Sequence, residues 1–121
     1  MARFEEVELY VDKEGDYVNF LIKPHIIFEE YEKCIMWSLT IKFFEHDTWS
    51  SDDCIHEVPH IIEPEKPEEY EEFKESIKKE EIEKHAKLTA AKVYVDLKLK
   101  PLQTLTTTFI RSDYEVIHLK D

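Results

Sequence analysis

His56-Glu57-Val58-Pro59-His60 carries the letters of H-E-x-x-H, the helical signature in which two histidines hold zinc and the glutamate activates a bound water. That chemistry needs an unbroken helical turn. Pro59 lies inside it, where the ring removes a hydrogen bond and clashes with an earlier carbonyl. A looser tetrahedral set remains: Cys54, His56 and His60 share one face of an extended strand, and His46 or Asp47 would complete it. The spacing matches no common structural-zinc pattern, so a metal site here is a lesser alternative and no cofactor is expected.

The stretch His46-Asp47-Thr48-Trp49-Ser50-Ser51-Asp52-Asp53 offers different chemistry. An aromatic ringed by acids is how interfaces concentrate binding energy. Asp47, Trp49, Asp52 and Asp53 are therefore the expected partner-binding residues. Nucleophilic catalysis has no activated candidate: Cys34 falls in a strand, and Cys54 lies near His56 only in sequence. With one glycine there is no phosphate-cradling loop, dinucleotide fingerprint or G-x-S-x-G elbow. The 28 acidic residues guarantee carboxylate pairs somewhere, so their abundance identifies no acid–base site. The chain reads as a non-enzyme.

Charge gives the strongest signal. The formal net charge is −12, distributed as −9 over residues 1–62, −4 over 63–87 and +1 over 88–121. Nucleic-acid affinity rests on basic groups displacing counterions, so direct binding to DNA or RNA is not expected. The same field steers a basic protein inward. A hydrophobic fraction of 42% and an aromatic fraction of 12% suffice for a core despite 36% charged residues. The acidic opening MARFEEVELY lacks an apolar h-region, and no run reaches the ~18 apolar residues of a span. A cytoplasmic, membrane-free protein with two reduced cysteines is the expectation.

The elements that must position these residues come from periodicity. Phe4–Val11 alternates, Asp12–Asp16 turns with Gly15 at its apex, and Tyr17–Lys23 returns, with Pro24 suggesting an edge or strand end. Cys34–Glu45 is the strongest early strand. Residues 46–63 read as an irregular connection, with at most a short strand near Cys54–Ile62. Pro64 and Pro67, acids early and lysines late, and i,i+4 pairs such as Glu75–Lys79 predict one long charged helix over 66–87. Lys92–Lys100, Leu102–Arg111 and Tyr114–Lys120 supply three more strands.

The expected fold is thus α+β in β-β-β-α-β-β-β order. About six mostly antiparallel strands form one sheet, in a single domain over 1–121, with the helix packed on it. The expected function is a small acidic interaction protein, an inhibitor, immunity-type or accessory factor masking a basic partner. The alternative is a self-associating scaffold subunit, as in a phage or multiprotein assembly, pairing through the threonine-rich edge.

Overall fold

The computed structural model describes residues 2–33, 35–46, 51–84, 90–102 and 108–119. It is an all-β arrangement of two antiparallel sheets, and among the described residues no helix reaches seven residues. The elements run β1 (Arg3–Glu14), β2 (Tyr17–Ile27), a 3-10 turn (Glu30–Glu32), β3 (Trp37–Glu45), β4 (Asp53–Ile62), β5 (Glu68–Tyr70) and β6 (Phe73–Lys78). A five-residue helix α1 (Lys79–Glu83) follows, then β7 (Ala90–Pro101), β8 (Thr108–Arg111) and β9 (Glu115–His118). Sheet A places β2 between β1 and the pair β5 and β6; sheet B runs β4-β3-β7, with β8 and β9 both on the far side of β7.

The expected α+β fold, with a helix over 66–87, is therefore corrected. Ile22↔Phe73, Phe20↔Glu75 and Val18↔Ile77 are register partners, so β6 buries Phe73, Glu75 and Ile77 toward the core and turns Lys74, Ser76 and Lys78 outward. Helix propensity is a weak prior, worth tenths of a kcal/mol per residue, and pairing with a buried central strand overrides it. Phe73 and Ile77 fit a helical face and a strand face equally well. Only Glu75, a charged residue on the inner row, disguised the period of two.

Two more expectations change. Within 46–63 the strand expected near Cys54–Ile62 is present as β4, longer than a short segment at ten residues and paired with β3 from Trp37↔Ile62 to Glu45↔Asp53. Pro59 is tolerated because β4 is an edge strand, where a missing donor faces no second neighbour. Pro24 in turn does not mark an edge: β2 is central. β6 covers Tyr17 to Ile22 and β5 covers His25 to Ile27, leaving Lys23 and Pro24 outside both ladders. Having no N–H, Pro24 interrupts the ladder where β5 gives way to β6, and only its carbonyl is used, accepting from the Glu71 amide at 3.1 Å.

The β1–β2 hairpin forms as its alternation predicts. Gly15 closes it at φ +60°, a conformation that costs an L side chain but not glycine. Register holds from Glu6↔His25 to Glu14↔Tyr17, after a bulge between Phe4 and Glu6. The two sheets meet through Val18, Phe20 and Ile22 of β2, Leu39, Ile41 and Phe43 of β3, and Val93, Val95, Leu97 and Leu99 of β7, all 2% exposed or less. Phe20 of sheet A meets Phe43 of sheet B edge to face at 5.0 Å, and Phe28 meets Trp37 at 5.3 Å. Buried Glu32 has both carboxyl oxygens engaged, accepting the Ala2 and Glu29 amides at 3.0 and 2.8 Å. Among the described residues no helix is long and apolar enough to cross a membrane.

Candidate functional site

Alternation along β1 sends Val7, Leu9 and Val11 toward the core and projects Glu6, Glu8, Tyr10, Asp12 and Glu14 from the outer face of sheet A. The four carboxylates stand about 7 Å apart along the strand, or twice that across Tyr10. Among the described residues none of the four takes part in an ion pair. Tyr10 is 50% exposed and its hydroxyl donates to Glu8 Oε2 at 2.8 Å. That hydrogen bond first, then the Glu8 charge, raises its phenol pKa, and Lys23 Nζ lies 6.0 Å over the ring.

Across the sheet, Tyr70 stacks on His25 at 4.1 Å, and His25 Nε2 lies 2.8 Å from Glu68 Oε1. Desolvation and the Glu68 charge push the Tyr70 phenol up as well. Between Tyr10 and β6 lies a depression of about 370 Å³, lined on its outer side by Asp12, Asn19, Leu21, Lys74 and Ser76. Ser76 Oγ donates to Asn19 Oδ1 at 2.6 Å, and Asn19 Nδ2 donates to Glu14 Oε2 at 2.9 Å. The result is a concave face with aromatic anchors among carboxylates.

The residues expected to bind a partner are placed differently. Asp47 and Trp49 lie outside the described residues. Asp52 is engaged within the chain: it accepts the Tyr94 hydroxyl at 2.5 Å on Oδ2, and His46 Nδ1 stands 3.2 Å from Oδ1. Asp53 opens β4 opposite buried Glu45. Tyr94, 1% exposed, is walled by the stacked Phe44 at 5.4 Å, by Tyr114 at 5.2 Å and by the Arg111 guanidinium 4.6 Å over its ring. Asp96 holds Arg111 by two bonds of 2.6 and 2.9 Å. Burial first, then the bond to Asp52, push the Tyr94 phenol well above its ordinary value of 10.0, against the opposing charge of Arg111.

Tyr94 ionises near 10 in the unfolded chain but stays protonated in the folded one, so its contribution is present in full below pH ~10 and is lost as pH rises further. Absorbance titration near 295 nm is expected to show one tyrosine that ionises only as the fold is lost, a component absent from Tyr94→Phe.

The metal alternative separates into two places. His46 faces Asp52, whereas Cys54 is exposed with Sγ 3.8 Å from the His56 carbonyl oxygen. His56 and His60 do share the inner face of β4, as their even spacing requires. On a strand, however, residues four apart are separated by about 13 Å, not the single turn of a helix. Their imidazoles therefore approach one carboxylate from opposite ends: His56 Nε2 is 3.8 Å from Glu75 Oε2, and His60 Nε2 is 3.7 Å from Oε1. Among the described residues no group of three such side chains is placed to hold a metal ion.

Both contacts are longer than hydrogen bonds, and His60 Nε2 is buried without a partner. Glu75 sits among Phe20, Phe73 and Ile77 on an otherwise apolar row. Glu75→Leu is accordingly expected to leave stability unchanged or raise it by about 1 kcal/mol in urea denaturation, since a poorly compensated polar group gives way to packing. A loss of that size would instead make the His–Glu–His contact stabilising.

No protein-family model and no curated protein matches the chain. Its fold is similar to a crystal structure of a protein from Archaeoglobus fulgidus, with a TM-score of 0.53 at 9% identity over 98% of both chains. At that identity the likeness is one of fold alone.

Proposed function

We propose that this protein is a non-enzymatic, acidic interaction domain that masks a basic surface of a protein partner, as inhibitors, immunity-type and accessory proteins do. The observation that supports it is the row Glu6, Glu8, Asp12 and Glu14, four exposed carboxylates outside every ion pair among the described residues, flanking exposed Tyr10, with Lys23 Nζ 6.0 Å over the Tyr10 ring and paired to Glu72. Such a row steers a cationic surface inward, and a rigid tyrosine gives it contact area at low entropic cost. Asp52 does not serve this role, being committed to Tyr94 and His46. The reading places the protein in the cytoplasm with no cofactor.

Calorimetric titration with oligolysine tests it. Affinity is expected to fall steeply between about 50 mM and 500 mM salt, as facing charges are screened. Binding that salt does not weaken, or none at low salt, overturns the reading.

A further inference from the structure

The outer face of sheet B has the opposite character. Among the described residues Lys42, Lys92, Lys98, Lys100 and Arg111 project from it against Glu57, Asp96 and the Asp52 carboxylate, which Tyr94 and His46 hold. Glu57 faces Lys42 at 3.7 Å and Asp96 clasps Arg111, so these four charges cancel in pairs. Among the described residues Lys92, Lys98 and Lys100 take part in no ion pair. A chain of net charge −12 therefore carries one sheet face that is positive.

The spacing of the two rows matches. Outward positions of β7 run Lys92, Tyr94, Asp96, Lys98, Lys100; those of β1 run Glu6, Glu8, Tyr10, Asp12, Glu14. Laid strand on strand in the same direction, Lys92, Lys98 and Lys100 fall on Glu6, Asp12 and Glu14. Laid in the opposite direction, they fall on Glu14, Glu8 and Glu6. In both cases the one acid of the β7 row, Asp96, falls opposite the one uncharged member of the β1 row, Tyr10.

We propose that the lysine row of β7 docks on the carboxylate row of β1 in a second copy of this chain. The contact is heterologous, since it joins two different faces, and it can repeat from copy to copy. It rests on the same acidic face as the function proposed above, with the chain itself supplying the basic surface. Its ionic-strength dependence is distinctive. At 0.01 M salt, where the Debye length is about 30 Å, whole-molecule repulsion opposes association; near 0.15 M, at about 8 Å, only facing charges act; at 1 M, at about 3 Å, those too are screened. Association is strongest at the intermediate value.

Sedimentation equilibrium tests this on the wild type, on Lys92→Glu/Lys98→Glu and on Glu6→Lys/Asp12→Lys. All four changed side chains are exposed, so circular dichroism is expected to match wild type. The expected result is a wild-type average mass above the 14.6 kDa monomer that peaks near 0.15 M salt, with each variant alone monomeric. An equimolar mixture of the two variants forms a 1:1 dimer, because each retains the face the other lacks. A monomeric wild type at every salt concentration, variants that still associate, or a mixture that stays monomeric overturns the proposal. So does a wild type that binds polyglutamate through β7 but not itself. Oligolysine binding by Lys92→Glu/Lys98→Glu separates the two readings. If it persists while the wild type stays monomeric, only the second-copy docking falls; if it fails as well, the masking function falls with it.

Discussion

Phe43→Ala is expected to destabilise the protein by about 3–5 kcal/mol, the largest single effect the fold implies. The ring is 0% exposed and meets Phe20 edge to face at 5.0 Å across the junction of the two sheets. Its removal loses apolar transfer energy and leaves a cavity that two hydrogen-bonded sheets cannot collapse to fill. For a domain whose total stability falls in the usual range of about 5–15 kcal/mol, that is a large fraction. Urea denaturation checks it, with Ile61→Ala as reference: Ile61 is 57% exposed on β4, and its truncation is expected to change stability by less than about 0.5 kcal/mol. Similar midpoints for the two variants would mean that the Phe20–Phe43 junction is not the core.

The second large effect concerns binding rather than stability. Glu6→Lys/Asp12→Lys turns a β1 row of four carboxylates into two of each sign. Each reversal replaces an attraction with a repulsion, and at roughly 0.5–1 kcal/mol per reversed exposed charge the affinity for oligolysine falls about 10-fold. Both side chains are exposed and outside every described ion pair, so urea midpoints are expected to stay close to wild type. An unchanged affinity with an unchanged fold would place the binding charge elsewhere than β1. A loss of both would show only that these positions matter for folding.

The site was more legible than the fold. Period-two reading of Phe4–Val11 already separates Val7, Leu9 and Val11 from Glu6, Glu8 and Tyr10, and extending it through Asp12 and Glu14 yields the whole acidic row. The acid cluster beside Trp49, with Asp52 in it, is the stronger interface signal in the sequence, where only chain neighbours are visible. Only three-dimensional pairing shows Tyr94 and His46 engaging Asp52 within the chain. The β7 alternation was equally plain, yet the meaning of its lysines depends on which faces of which sheets carry the two rows.

One physical reason hides the all-β fold in the sequence. Between Glu68 and Lys78 the glutamates and lysines suit a helix, and nothing local reveals that β2 needs a partner on its second side. Glu75 completed the disguise by occupying an inward position, where His56 and His60 meet it from β4. The letters of H-E-x-x-H suggest a metal for those histidines, and Pro59 argues for no more than a short strand where the chain forms β4. Both features belong to strands at a sheet edge, where a proline and inward polar groups are tolerated.

Amide and tyrosine-ring shift mapping of the isotopically labelled protein with oligolysine most directly tests whether the acidic outer face of sheet A is the working surface. The account predicts perturbations at Glu6 to Glu14, at the rings of Tyr10 and Tyr70, and around Asn19 and Lys74, fading as salt is raised. Shifts confined to Asp52 and Asp53 at the start of β4, or none on β1 at low salt, would contradict it.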